Sequence, residues 1–378
     1  MKTISFVTGN GWKHEEARKL LSGLDVVQVR LALDKPEAAR SLGEIASARA
    51  RDAYARLRSP VFVENTGLFL REHDEGPGAG FKKLFRSLGE AEFARRYGGS
   101  TGVTRVAVAF TENGDEVELF EGQNEGQLAS EPRGDGGYGW DRLWVPNGYA
   151  HTLAELASSK VLVNMRHLPF LELGQRLRGA PGEGVYEAHV TVAPCDATTF
   201  AQACEALAVK CIAIELPRGA EPVQPMTGSH HRGSLLQVQR EVHALAADLL
   251  RRGFRVTRTK LEAVGAHPDL PLTDEAAAAI SPSRYFEHHL KIALLDGASS
   301  EGLGEPLRRL GAHLSRNGKR RLERFITMRS PSVGKATADA RFARVEAFVR
   351  AQGLAIRSRV REYTVFDSAP EVDRGWFE

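Results

Sequence analysis

The first apolar run, Ile4 to Thr8, predicts a buried strand, and Gly9-Asn10-Gly11 predicts the turn that ends it. Ala17, Leu20 and Leu21 then share one side of a predicted helix over Lys13 to Ser22. A second helix is predicted over Leu42 to Leu57. It is followed by a short buried strand, Val61 to Val63, which runs into the acidic and polar turn Glu64-Asn65-Thr66-Gly67-Leu68. Phe81–Leu88 and Glu90–Tyr97 read as helices. Thr104–Thr111 and Glu116–Gly122 read as strands joined at Asn113-Gly114, a hairpin turn pair. A further strand over Glu125–Ala129 leads into a glycine-rich loop, Arg133–Gly139, and a last helix is predicted from Ser159 to Leu177. Strands and helices mixed in this way imply a central sheet with helices on its faces. The segment Arg176–Gly184, with Gly179, Pro181, Gly182 and Gly184, reads as a linker.

Beyond the linker the pattern repeats. Tyr186-Glu187-Ala188-His189-Val190-Thr191-Val192 matches Phe286-Glu287-His288-His289-Leu290-Lys291-Ile292 at an offset of 100 residues. The same offset pairs Thr227 with Thr327, Gly253 with Gly353, Val256 with Ile356 and Glu262 with Glu362. A constant offset over that span indicates duplication. Each copy reads strand, helix, strand, a loop with a glycine, a long helix (Ser234–Arg252 and Gly334–Gln352) and a closing strand. With a fourth strand each copy is a βαββαβ ferredoxin-like unit. The expected organisation is an α/β domain over 1–177 followed by an α+β part of two tandem ferredoxin-like repeats, 185–265 and 283–368, packed so that each buries one sheet face.

Composition changes this picture little. The chain has 378 residues, 42% hydrophobic and 26% charged, which fits a soluble protein of two or three domains. A net charge of +3 is too small to predict nucleic-acid binding by itself. Cys195, Cys204 and Cys211 match no zinc spacing and point to a reducing compartment. The opening residues read as a strand rather than a signal peptide, and no apolar run approaches the ~18–20 residues that span a bilayer. A cytoplasmic location without membrane contact is expected.

Four polar clusters punctuate the first half. Thr8-Gly9-Asn10-Gly11-Trp12-Lys13 joins a strand to a helix N-terminus, where backbone N–H groups cradle phosphate; Lys13 adds charge, and Glu16 is a possible metal ligand. Glu64-Asn65-Thr66-Gly67-Leu68 offers a carboxylate at a strand end, where a divalent metal meets a phosphate chain. The others are Gly76-Pro77-Gly78 followed by Lys82, and Pro132-Arg133-Gly134 with Tyr138-Gly139-Trp140-Asp141, then Thr152, Glu155, Lys160 and Arg166.

In their order and spacing these clusters resemble the inosine triphosphate pyrophosphatases, the Ham1-like nucleoside triphosphate pyrophosphatase family, over residues 1–175. The resemblance implies a two-lobed mixed α/β fold around a long cleft and a homodimer. It also implies hydrolysis of deaminated purine nucleoside triphosphates (ITP, dITP, XTP) to monophosphate and pyrophosphate with Mg2+. Carried over by position, Thr8, Asn10 and Lys13 would bind the triphosphate, with Arg49 and Lys82 as further cations. Glu16, Glu37 and Glu64 would serve the metal. Tyr138 and Trp140 would flank the base, Asp141 would read its edge, and Lys160 and Arg166 would complete the contacts. Lys13, Glu64 and position 65 would form the catalytic group.

The chain departs from that pattern twice. The family motif has two adjacent acids, and the second is Asn65 here; an amide cannot take a proton. The family's Ser-His-Arg is Asn164-Met165-Arg166. Three readings follow: a weakened pyrophosphatase, a nucleotide-binding protein without turnover, or an enzyme in which Glu64 takes the missing role. In the second half, Glu187 with His189 and Glu287 with His289 each share one strand face, and Lys260 and Glu262 stand near a closing strand. His189-Val190-Thr191 has the His-x-Thr form of the 2H phosphoesterases, but the second copy reads His289-Leu290-Lys291. A phosphoesterase-like or nucleic-acid-binding effector is the reading there. Thr227–Gly233 and Arg329–Lys335 read as polar strand-to-helix loops suited to phosphate.

Overall fold

The computed structural model describes residues 3–21, 23–33, 41–179, 183–215, 222–265, 267, 269–280, 282–294, 302–317 and 322–373. The chain forms two compact units, over residues 2–179 and 180–378.

In the first unit β1 (Thr3–Val7), α1 (Gly11–Leu20), β2 (Asp25–Val29), α2 (Leu42–Leu57), β3 (Val61–Leu70), β4 (Gly76–Gly78), α3 (Phe81–Leu88), α4 (Glu90–Tyr97), β5 (Thr101–Thr111), β6 (Glu118–Leu128), β7 (Trp144–Pro146), α5 (Lys160–Val163) and α6 (His167–Arg178) follow in order. The sheet runs β2-β1-β3-β5-β6-β7, with β4 paired to β3. On one face Phe6 stacks on Phe62 at 4.3 Å, and Phe170 of α6 meets both edge-on. On the other, Ala46, Ala50 and Ala53 of α2 recur at helical spacing over Val61, Val63, Ala107 and Ala109. Ser41 and Glu44 cap α2 reciprocally.

Three expected boundaries move. The strand predicted over Val61–Val63 runs on to Leu70, so Glu64 and Asn65 lie mid-strand rather than in a turn, paired with Val108 and Ala107 of β5. The polar residues are tolerated because β1 pairs only with Val61 and Phe62, and β4 only with Leu68 to Leu70. Among the described residues, the β1-side edge of β3 between these pairings carries no strand. The strands predicted over 116–122 and 125–129 are one, β6, held in continuous register with β5. The helix predicted over 159–177 breaks at Asn164, whose backbone is extended and whose Oδ1 accepts from the Arg166 N–H at 3.1 Å.

The second unit comprises β8 (Gly184–Val192), α7 (Ala197–Ala206), β9 (Lys210–Glu215), β10 (Val223–Gly233), α8 (Leu235–Arg251), β11 (Val256–Val264), α9 (Asp274–Ala278), β12 (Tyr285–Ala293), α10 (Gly304–Arg309), β13 (Ala312–Asn317), β14 (Glu323–Pro331), α11 (Lys335–Ala351) and β15 (Ala355–Asp367). Its eight strands close into a barrel in the order β10-β8-β11-β15-β12-β14-β13-β9. The expectation of two sheets packed face to face is therefore corrected. β11 pairs with β15 and β9 with β13, so the halves join edge to edge and no strand edge is left open. The apolar face points outward under the long helices: Phe342, Val345 and Val349 of α11 pack on Leu290, Ile292 and Ile326. Thr227–Gly233 and Arg329–Pro331, expected as loops, are the ends of β10 and β14. Among the described residues no helix is long and apolar enough to cross a membrane.

One consequence of α8 is testable. Burial, reinforced by the Arg251 charge, pushes His243 down to about 4 from 6.5. The folded state thus binds fewer protons than the unfolded chain between these values. Stability is complete above pH 6.5 and falls as pH drops through that window, by on the order of 2–3 kcal/mol. Melting temperatures from pH 7.5 to 4.5 should fall less steeply in His243→Gln than in the native chain. Parallel slopes would remove His243 as a cause.

Candidate functional site

The site of the first unit starts at the break after β1. Asn10 caps α1, accepting from the Trp12 N–H at 2.9 Å and the Lys13 N–H at 3.4 Å, and its own N–H bonds Thr8 Oγ1 at 3.2 Å. This fixes Lys13 on the first turn, where its ammonium pairs with the Glu64 carboxylate. Arg166, at the N-cap of α6, reaches the other Glu64 oxygen through Nε at 2.5 Å and lies 3.6 Å from Glu16 through Nη1. Lys160 bridges Glu16 at 2.8 Å and Asp141 at 2.6 Å, with its Nζ 4.2 Å from the centre of the Tyr138 ring. Tyr138 donates its hydroxyl to Glu16 at 3.3 Å, and its backbone N–H bonds Asp141 Oδ2 at 2.7 Å.

Charge and burial act together here. Glu64 is 8% exposed and Arg166 3%. Burial alone would raise the Glu64 carboxyl, but the Arg166 and Lys13 charges outweigh it and hold the group at about 2. Burial, aided by nearby carboxylates, keeps the Tyr138 phenol well above its ordinary range, so it remains a donor. Asn65 Nδ2 is buried without a hydrogen-bond partner, a donor in want of an oxygen.

The network thus gathers Lys13, Glu16, Glu64, Tyr138, Asp141, Lys160 and Arg166, with Thr8 and Asn10 beside it. Trp140 is 6% exposed and set edge-on against Phe81 at 4.7 Å, so its ring is spent on packing. Arg49 donates to the Leu33 carbonyl at 3.3 Å, and Lys82 is exposed on α3; no hydrogen bond or ion pair joins either to the network among the described residues. Glu37 lies outside the described residues. Asn164 is the member that sequence reasoning missed. Its Oδ1 accepts from Arg166 Nη1 at 3.1 Å while its Nδ2 donates to Glu16 at 3.3 Å, so it aims the guanidinium. An asparagine interrupting an apolar run, with Pro169 five residues on, was the available signal. Met165 is buried at 4% exposure.

The second unit holds a separate polar cluster on the inner wall of its barrel, lining a cavity of about 570 Å³. All six residues expected there, Glu187, His189, Lys260, Glu262, Glu287 and His289, line it, together with Glu362. Lys260 bridges Glu262 at 2.7 Å and Glu287 at 2.8 Å. His189 Nε2 lies 3.4 Å from Glu262, and His289 Nε2 lies 3.5 Å from Glu362. Burial and the Glu262 and Glu187 carboxylates push Glu362 up to about 10. Deeper in the wall, Arg258 bonds Asp367 at 2.8 Å and Asp373 at 2.9 Å, and Arg329 joins Asp373 to Glu287, each at 2.8 Å.

Comparison with known proteins bears on the first unit. The model of the Ham1 family matches residues 4–173. A dITP/XTP pyrophosphatase of Methanopyrus kandleri is 35% identical over 159 residues, 40% of this chain and 84% of that protein. A dITP/XTP pyrophosphatase of Ignicoccus hospitalis is 33% identical over 184 residues, 47% of this chain and 98% of that protein. A solved HAM1 protein structure from Coxiella burnetii covers 47% of this chain and 99% of its own, at 22% identity and a TM-score of 0.42. With relatives matched over most of their own length, the chain belongs, through its first unit, to the Ham1 family.

Proposed function

We propose that the first unit is a nucleoside triphosphate pyrophosphatase acting on deaminated purine nucleotides, cutting between the α- and β-phosphates to give monophosphate and pyrophosphate, with turnover reduced by Asn65. The observation that carries this reading is the convergence of Lys13, Lys160 and Arg166 on Glu16 and Glu64 beside the capped N-terminus of α1. A triphosphate is drawn to such a cation set at a helix N-terminus. The names of the relatives, dITP/XTP pyrophosphatases, point the same way. Glu16 and Glu64 would hold Mg2+ jointly with phosphate oxygens: two hard-oxygen side chains, one firmly ionised, match an ion that usually takes one or two carboxylates. When bound, the ion neutralises phosphate charge. Tyr138 and Asp141 would meet the base, and Asn65 Nδ2 would donate to a phosphate or water oxygen. Glu64 is left as the acceptor for the proton of the attacking water, and a carboxylate held at about 2 is a weak base at neutral pH.

Pyrophosphate release from ITP, XTP and dITP, compared with ATP and GTP, tests the reading. Slow release from the deaminated set is expected. Asn65→Asp is expected to raise it at least tenfold, since a positioned base contributes about 10²–10⁴-fold. Binding without release in both proteins would favour a nucleotide-binding protein, and absence of binding would remove the proposal. In the second unit we read the two half-barrels as tandem βαββαβ ferredoxin-like repeats over 185–265 and 283–368.

A further inference from the structure

The inner wall of the barrel brings carboxyl groups into close opposition. Four glutamates, Glu187, Glu262, Glu287 and Glu362, line the cavity, and Lys260 pairs with two of them, Glu262 and Glu287. The strand register sharpens this. Glu262 stands directly across from Glu187 between β11 and β8, and Glu287 across from Glu362 between β12 and β15. Like charges in directly opposed positions destabilise a sheet, and burial deepens the effect. Such an arrangement is what a cation site requires before its cation arrives.

The geometry points to a site for a divalent first-row transition-metal ion in the barrel, ligated by Glu262, His289 and Glu362. One side-chain donor from each of the three lies within 4.8 Å of the other two, and they sit on the adjacent strands β11, β15 and β12. The imidazole is already aimed: Nδ1 of His289 is 2.9 Å from Thr327 Oγ1, which leaves Nε2 toward the carboxylates. A hydrogen bond at the remote ring nitrogen is the usual outer support of a metal-binding histidine. His189 is held the same way, with Nδ1 3.1 Å from the Thr227 carbonyl and Nε2 toward Glu262. It stands beside the site as support for Glu262 and as a reserve ligand. A mixed nitrogen and carboxylate donor set suits Mn2+, Fe2+, Co2+ or Zn2+ rather than Ca2+ or Mg2+, which favour oxygen alone, and no cysteine lines the three strands at this point. The cavity leaves room for a small ligand at an open coordination position. This inference stands apart from the pyrophosphatase reading, because every residue it uses lies in the second unit.

Co2+ alone is the probe. The full chain, stripped with chelator and dialysed against Co2+, should retain one ion and show ligand-field absorption in the visible. His289→Ala and Glu362→Gln should each lose that ion. Thr327→Val, which removes only the outer support, should bind it about 10–100-fold more weakly and restore the spectrum at higher Co2+. Far-ultraviolet circular dichroism and amide exchange in β11, β12 and β15 unchanged from the native chain show that the variants fold; Glu362→Gln is near-isosteric if His289→Ala does not. Failure of the native chain to hold Co2+ would overturn the site, and so would retention of the same ion and spectrum in both ligand variants. Loss of turnover with Co2+ binding intact would bear on the first unit alone.

Discussion

Arg166→Ala is expected to lower nucleotide hydrolysis by about 10²–10³-fold, the loss typical of removing one preorganised donor from a developing charge. The reasons are geometric. Arg166 contacts both Glu64 and Glu16, and Asn164 fixes its plane. Without it, among the described residues, Glu64 keeps Lys13, and Glu16 is left to Lys160, Tyr138 and Asn164. A lysine restores charge but cannot span the two carboxylates with a rigid fork. Arg166→Lys should therefore recover binding more than turnover. Steady-state kinetics on ITP, with circular dichroism melts to exclude collapse, decide the matter. Equal kcat in the native and Arg166→Ala proteins would remove Arg166 from the machinery.

The second large effect belongs to the barrel. Arg258 is 5% exposed and bonds Asp367 and Asp373, while Tyr285 donates to the same Asp367 at 3.0 Å. Removing one member of a buried pair leaves an uncompensated charge, at about 3–5 kcal/mol. Here two carboxylates lose their main partner at once. Arg258→Ala should accordingly destabilise the second unit by that amount, read as faster amide exchange in β11 and β15 with the first unit's exchange unchanged. Arg258→Met offers similar bulk without charge and should be no better. Exchange equal to that of the native chain would show that Arg329 alone suffices for Asp373.

How far these sites were legible from sequence differed between the two units. In the first, the strand–Asn10–helix turn, Lys13 and Glu64 could be named because local chemistry and spacing place them: a cap, a phosphate-facing helix end, an acid after an apolar run; Arg166 could be named only through the family resemblance. The length of β3 could not. Polar residues from 64 to 66 read as a turn, yet they pair along β5, and only the tertiary sheet supplies that partner. Asn164 escaped because its role depends on Arg166 and Glu16, the latter 148 residues away in sequence. In the second unit the inward pairs Glu187/His189 and Glu287/His289 were visible from period-two spacing. The closure was not. Edge pairing between β11 and β15, and between β9 and β13, leaves no local trace, and the polar inward positions hint only that these faces do not bury against a second sheet.

That closure frees the barrel from symmetry. Had two identical chains formed such a ring, every inward substitution would have appeared twice, across a twofold axis. Carried on one polypeptide, the half-barrels can diverge. Lys260 faces inward where the matching position is Val360, and Arg329 stands where the other half has Ser229. At these matching positions the two half-barrels therefore differ in charge, while the glutamates Glu187/Glu287 and Glu262/Glu362 are kept in both. The backbone is twofold repetitive, but the surface it presents to the cavity is not.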